Sequence, residues 1–172
     1  SDTSNNQEVQ KVLTINVVDT TSPTISVVEN SSIELGDNTF VLPTCTVTDN
    51  SNEAIMCIQS GDTVDINTLG TYEIMFDAKD SSNNEAVQVK LLVSVVDSVN
   101  PVFANIPANQ TILEGDQLDL LSLGLEAQDN HDGNLTALIE VDITDTTILL
   151  VGSTVVVYTV SDLSGNSVSL SI

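Results

Sequence analysis

Apolar and polar residues alternate along this chain with a period of two. The clearest stretch runs from Tyr72 to Lys79, where Ile74, Phe76 and Ala78 share one face and Glu73, Asp77 and Lys79 the other. Successive side chains of a strand point to opposite faces, so this is the signature of a half-buried strand. Residues 154–161 repeat it, with Val156, Tyr158 and Val160 inward. Each stretch follows a glycine, Gly70 or Gly152, and ends at an aspartate, Asp80 or Asp162. Turn-forming Gly, Asn, Asp and Ser separate further apolar runs, which predict strands near 24–28, 32–35, 44–48, 54–59, 62–66 and 86–96. No window carries a convincing helical period, and Val, Ile, Thr and Leu dominate over aromatics, which is strand chemistry.

The same pattern recurs at a longer period. Residues 1–23, SDTSNNQEVQKVLTINVVDTTSP, align without a gap on residues 79–101, KDSSNNEAVQVKLLVSVVDSVNP, and the block begins again as SDLSGN at 161–166. A fixed period near eighty residues marks a tandem array. Gly36-Asp37 is matched by Gly115-Asp116, and Asp49-Asn50 by Asp129-Asn130. About seven short strands per repeat predict an all-β fold of two tandem immunoglobulin-like β-sandwiches, residues 19–96 and 97–172, the second with its last strand incomplete. Residues 1–18 then read as the last strand of a preceding or neighbouring unit. Two accounts fit: the chain is a window from a longer repeat polypeptide, or Val9, Val12, Leu13, Ile15 and Val17 complete a neighbouring subunit's sandwich by strand donation. A long unpaired strand is an aggregation hazard, so pairing of some kind is expected.

Charge narrows the partners. Three lysines and no arginine stand against 25 acidic residues, a formal net charge of -22. Phosphate must be met by Lys and Arg, so nucleic acid is excluded as a partner, and an anionic membrane surface would repel the chain. Such a charge favours cation uptake or reflects a high-salt habitat, and clustering of the acids in loops favours the cation. Mean hydropathy of +0.17 argues for a folded chain despite the charge. The longest apolar runs, such as 91–96, are far too short to span a bilayer, so no membrane insertion is expected. With no initiator Met or leader, a mature form or an excised piece is expected.

Units of this size bury only about 60% of their unfolded surface, so a staple is expected. Cys45 and Cys57 lie symmetrically about the polar stretch 49–53, and a disulfide is favoured over two free buried thiols. The corresponding places in the second repeat fall near Leu125 and Leu138, which marks them as core positions. A disulfide there points to an oxidising, extracellular setting.

The acids gather at matching places. In a sandwich of this type the loop after the second strand and the loop before the last strand lie at the end where the chain enters. That arrangement brings together Asp19, Asp49 with Asn50 and Asn52, and the loop from Asp80 to Asn84. In the second repeat it assembles Asp97, Asp129, Asn130 and Asp132, and Asp162 with Asn166. Carboxylate and amide oxygens from several loops suit Ca²⁺, which accepts six to eight hard ligands in flexible geometry. The expected metal residues are therefore Asp19, Asp49, Asp80, Asn84, Asp97, Asp129, Asp132 and Asp162. Asp, Asn and Ser also make turns without any ion, and Ser82, Asn83 and Asn84 are read equally well that way. Pro23 and Pro101, four residues beyond the linker acids, restrict the backbone where it would otherwise hinge.

Nothing argues for catalysis. The single histidine, His131, sits in an Asp-Asn-His-Asp-Gly turn with no pocket to bring it a nucleophile, and the cysteines lack metal-binding spacing. Sequons at Asn30, Asn109 and Asn134 are as many as composition alone would give.

Taken together, Val-Val-Asp-Thr-Thr-Ser-Pro (17–23), the Asp-Asn pairs at 49–50 and 129–130, Gly-Thr-Tyr (70–72) and Ser-Asp-Leu-Ser-Gly-Asn (161–166) resemble the tandem immunoglobulin-like repeats of microbial extracellular surface proteins. Hyalin-repeat and bacterial Ig-like modules are the nearer relatives and cadherin-type repeats the more distant. The resemblance implies a non-enzymatic component of a cell-surface stalk, filament or surface layer, often calcium-dependent, partnered head to tail by its own copies or further repeats. The alternatives are an adhesin module that binds a glycan or protein through its loops, or an ancillary domain of a secreted enzyme. Carbohydrate platforms normally expose aromatics, and the chain has no Trp. The first repeat departs from the pattern with Ser81-Ser82-Asn83-Asn84 for a Gly-Asn ending and Asn52-Glu53 where the second has Asp132-Gly133.

Overall fold

The computed structural model describes residues 10–28, 31–51, 53–143 and 151–172. The protein is all-β, with two single 3-10 turns among the described residues, Leu120–Leu123 and Thr136–Leu138. Among the described residues no helix is long and apolar enough to cross a membrane.

The first repeat contributes β1 (Thr24–Ser26), β2 (Ser31–Glu34), β3 (Thr46–Thr48), β4 (Cys57–Gly61), β5 (Gly70–Ala78) and β6 (Val89–Val96). They form a β1-β3 ladder and a four-stranded sheet in the order β2-β6-β5-β4. β1 and β3 are antiparallel, β4 and β5 antiparallel, and β2 runs parallel to β6. The second repeat contributes β7 (Val102–Ala104), β8 (Glu126–Asp129), β9 (Gly133–Asn134), β10 (Glu140–Val141), β11 (Val157–Ser161) and β12 (Ser167–Ser171). Its sheets are β7-β8-β9 and β10-β11-β12. Two sheets per repeat is the immunoglobulin-like plan. By contacts the chain divides into two compact units, one of Ser1–Asn30, Val41–Thr63 and Tyr72–Leu92, the other of Ser31–Phe40, Val64–Thr71 and Val93–Ile172.

The inward stripe read from the sequence is the buried one. Ile74, Phe76 and Ala78 of β5 are buried, as are Leu91, Val93 and Val95 of β6. In the second repeat Ala127 of β8 packs with Tyr158 and Val160 of β11 and with Leu120, Leu125, Leu135 and Ile139, so side chains from both sheets share one core. Tyr158 is 1% exposed and donates its hydroxyl to the Leu120 carbonyl at 3.2 Å, which satisfies its polar end. Burial pushes that phenol above its ordinary pKa. Leu125 is core as expected, whereas Ile139 and not Leu138 fills the other position, since Leu138 sits in a 3-10 turn and is half exposed.

One expectation differs from the structure. No strand forms over 62–66. Gly61 ends β4 at a φ of 89°, where a Cβ would collide with the Glu73 carbonyl. Asp62 then takes its place at the sheet edge, its N–H donating to Glu73 O at 2.9 Å and its carboxylate accepting from Glu73 N at 2.8 Å. A turn held by Asp65 follows, accepting from Asn67 N at 3.0 Å and Thr68 Oγ1 at 2.8 Å. At the front of the chain, residues 10–18 form no strand. Val12, Leu13, Ile15 and Val17 are exposed, and among the described residues no strand pairs with them; Val9 lies outside the described residues.

Cys45 and Cys57 are joined, with Cα atoms 6.3 Å apart. Cys45 immediately precedes β3 and Cys57 opens β4, so the bond ties the two sheets of the first repeat together. The bridge closes a short loop, for which the chain-entropy relation gives about 2–3 kcal/mol. Replacing both cysteines by alanine should therefore lower the urea unfolding free energy of the first repeat by about 2–3 kcal/mol. Reductant should produce the same loss in the native chain and none in the variant.

Candidate metal centres

The acids expected to meet do meet, twice. Carboxylate oxygens of Asp19, Asp49 and Asp80 lie within 4.8 Å of one another, and so do those of Asp97, Asp129 and Asp132. Asp19 and Asp97 come from the segments that follow an apolar stretch of similar sequence, 11–18 and β6. Asp49 and Asp129 stand at the end of β3 and β8, and Asp80 follows β5.

Each cluster is built on the same frame. In the first, the Asn84 backbone N–H donates to Asp80 Oδ1 at 2.8 Å, and the Asn84 side-chain amide donates to Asp80 Oδ2 at 2.7 Å and to the Asp19 carbonyl at 3.2 Å. In the second, Asn166 does the same, its N–H to Asp162 Oδ1 at 2.7 Å and its amide to Asp162 Oδ2 at 2.7 Å and to the Asp97 carbonyl at 3.2 Å. One amide thus ties the entering segment to the loop before the last strand. The loops must turn tightly for this. Asn83 adopts a φ of 71° and Gly165, its counterpart, 94°, so the Ser-Asn-Asn sequence that departs from a Gly-Asn ending still makes the turn.

The third loop is fastened too. Asp132 Oδ2 accepts from Leu163 N at 2.7 Å, and in the first repeat Glu53 Oε1 accepts from Ser81 N at 2.9 Å. Glu53 therefore does for the first repeat what Asp132 does for the second, at a spacing one residue longer. The shorter Asp132 keeps its carboxylate in the cluster, whereas the group of three in the first repeat includes Asp80 instead. Asp162 is buried with both oxygens accepting from Asn166 and lies outside the second group of three. Asn84 is in place as expected, acting through its amide donor. Glu53 and Ser164, whose hydroxyl donates to Asp97 Oδ2 at 3.1 Å, were not singled out from the sequence. Asn52 lies outside the described residues.

Asp49 and Asp129 differ from the others electrostatically. Asp49 Oδ2 accepts from the Ser51 hydroxyl at 2.6 Å and the Ser51 N–H at 2.9 Å, and these bonds hold its carboxyl below the usual carboxylate pKa. Asp129 Oδ1 accepts from the Asp132 N–H at 3.0 Å and the His131 N–H at 2.8 Å, with the same effect, the Asp132 bond foremost and burial opposing it. His131 is thereby placed as a turn residue. The other oxygen of each, Asp49 Oδ1 and Asp129 Oδ2, is buried without a hydrogen-bond partner. Buried ionised oxygens are normally paired or bound to a metal. Among the described residues Lys79 pairs with Glu85 at 3.5 Å and Lys90 with Glu73 at 2.9 Å, outside both clusters.

A depressed folded-state pKa stabilises the fold above the unfolded value, near 3.9, and the contribution is lost as pH falls through the folded pKa. In calcium-free buffer the urea midpoint of the native chain relative to Asp129→Asn should therefore hold constant above about pH 4 and converge below it. A difference that stays constant into strong acid would contradict the assignment.

Comparison with known proteins agrees with this architecture. Residues 23–95 match the family model described as bacterial surface protein, Ig-like domain. An uncharacterized 81.3 kDa protein of Acholeplasma phage L2 is 33% identical over 172 residues, 95% of this chain, and the chain spans 23% of that relative's length. The crystal structure of a lipoprotein from Bacteroides thetaiotaomicron matches over 86% of this chain and 98% of its own, at 15% identity and a TM-score of 0.32, a similarity too low to bear on the argument. Residues 23–95, which carry the first acidic loops and the disulfide, are thus similar to the bacterial surface Ig-like domain.

Proposed function

We propose that the chain is a non-enzymatic segment of an extracellular array of Ig-like sandwiches, a surface stalk, filament or layer, stiffened by one calcium ion at each acidic cluster. Asp19, Asp49 and Asp80 would hold one ion, and Asp97, Asp129 and Asp132 the other. The observation that carries this reading is the pair of buried, unpartnered carboxylate oxygens, Asp49 Oδ1 and Asp129 Oδ2, at matching positions of the two repeats. Two oxygens each about 2.4 Å from one ion stand no more than about 4.8 Å apart, the limit within which each trio falls. The donors are all hard oxygens, which favours calcium over metals that select thiolate or imidazole.

The ion would supply the charge that the chain lacks. Three carboxylates in one place repel, and calcium would turn that repulsion into a crosslink between the entering segment and two loops. Asn84 and Asn166 position the same groups through their amides, so the frame stands ready without the ion. Pinning the entering segment beside Pro23 or Pro101 would remove backbone freedom where one repeat follows another. Stiffness of that kind suits a stalk or fibre joined head to tail by copies or further repeats of the chain. The family match to bacterial surface domains and the disulfide support a surface location. The acidic surface weighs against nucleic acid as a partner.

Calcium at a hundred times its dissociation constant should stabilise the folded chain by about 2.7 kcal/mol per site. Excess chelator should lower the thermal midpoint accordingly. Asp49→Asn and Asp129→Asn should each abolish the calcium response of its own repeat, leaving only the smaller loss in chelator that follows from the weakened turn hydrogen bonds. An unchanged melt in calcium and in chelator would overturn the proposal.

A further inference from the structure

Each acidic cluster takes a carboxylate from a loop at the end of a short strand, but the two loops are closed by different means. In the second repeat the closure is backbone. β8 turns directly into β9, with Gln128 opposite Asn134 and Asp129 opposite Gly133. The pairing runs on: Leu135 N donates to Ala127 O at 2.9 Å, and the Thr136 hydroxyl accepts from Ala127 N at 3.1 Å. Asp129 and Asp132 therefore sit on a hairpin whose two arms are bonded to each other.

In the first repeat the arms go to different sheets. β3 pairs with β1 and β4 with β5, and among the described residues no backbone hydrogen bond joins residues 45–48 to residues 54–59. What joins them is the Cys45–Cys57 disulfide. Cys45 lies four residues before Asp49 and Cys57 four residues after Glu53, so the bond closes the loop evenly about these two acids. Asp49 supplies an oxygen to the first group of three, and Glu53 fastens the loop to Ser81 N, beside Asp80, at 2.9 Å. The arm that carries Asp49 is otherwise held by three residue pairs with β1, among which only Ile25 is buried. Asp19, Asp49, Glu53, Asp80 and both cysteines belong to one compact unit.

We propose that the Cys45–Cys57 bond is a redox control on the first calcium site. Oxidised, it holds Asp49 within reach of Asp19 and Asp80; reduced, it releases the loop and the affinity falls. The second site, closed by backbone, is indifferent to redox state. The inference rests on the calcium reading of the clusters and deepens it for the first. An open loop must be ordered as the ion binds, and that lost conformational entropy weakens binding, whereas the crosslinked loop is ordered beforehand. Neither cysteine is fully buried. Reduction transfers two electrons and two protons from a dithiol, giving two thiols here and a cyclic disulfide in the reagent. Linkage is reciprocal, so calcium makes the bond harder to reduce by the same factor by which the bond tightens calcium. Since a disulfide persists in oxidising surroundings, the first site reaches its full affinity there.

The test separates the sites by substitution: Asp129→Asn keeps the first and Asp49→Asn the second. Calcium titrated by calorimetry into chelator-stripped Asp129→Asn should show a dissociation constant about tenfold higher after reduction by dithiothreitol, a coupling of ordinary size. That of Asp49→Asn should not change. At a fixed dithiol ratio, saturating calcium should shift the thiol–disulfide equilibrium of Asp129→Asn toward the disulfide by the same factor. Hydrogen exchange separates loop from fold: on reduction the Ser51 and Ser81 amides should lose protection while those of β5 and β6 keep theirs. Cys45→Val with Cys57→Val, in the Asp129→Asn background, refills the positions with apolar side chains, as Leu125 and Ile139 do in the second repeat. That variant should bind calcium as weakly as the reduced chain. No binding to oxidised Asp129→Asn overturns the calcium reading and this inference with it. Equal binding by the oxidised chain and by the reduced or valine chain, or a loss that comes only with exchange of the β5 and β6 amides, overturns this inference alone.

Discussion

Repulsion between like charges is the constraint around which this protein is arranged. Twenty-five acidic residues face three lysines, and Lys79 and Lys90 are spent on Glu85 and Glu73 along the strands. The chain nevertheless draws three carboxylates together in each repeat. What holds them is dipolar. Backbone N–H groups of Ser51, Asn84, His131, Asp132 and Asn166 face the carboxylates, and one asparagine amide per repeat bridges a loop aspartate to the entering backbone. Neutral donors of this kind orient carboxylates and lower the cost of ionisation, but they add no positive charge. The assembly is therefore organised and still electrostatically incomplete.

On the proposed reading, that incompleteness locates function in how each sandwich is entered and away from its faces. The cores explain why the frame can be rigid: side chains from both sheets meet at Tyr158 and Ala127 in the second repeat, and a disulfide joins the sheets of the first. The two repeats solve the stability problem differently. The first carries a crosslink at positions where the second has apolar side chains near Leu125 and Ile139. Both keep the acidic end, although only the second does so with Asp132 and the first substitutes Glu53 in the matching hydrogen bond.

Much of this was legible in the sequence, and the misses have physical causes. The period of two located β5 and β11, and the recurrence of Asp19, Asp49 and Asp80 as Asp97, Asp129 and Asp162 pointed to the clusters because position in a sandwich is set by strand order. Asp162 makes the same two bonds to Asn166 that Asp80 makes to Asn84, yet Asp80 belongs to the first group of three and Asp132 stands in the second, a difference these bonds do not explain. The strand expected over 62–66 failed because Asp62 satisfies the edge of β5 through its own side chain, a local bond that alternation cannot reveal. Glu53 was hidden for a related reason: a longer side chain from a position shifted by one residue makes the same bond.

The central claim is that each acidic cluster is a calcium site. Calorimetric titration of calcium into the chelator-stripped chain tests it most directly. Two ions should bind per chain, falling to one in either Asp49→Asn or Asp129→Asn. Absence of binding at millimolar calcium, or a stoichiometry that neither substitution changes, would contradict the account.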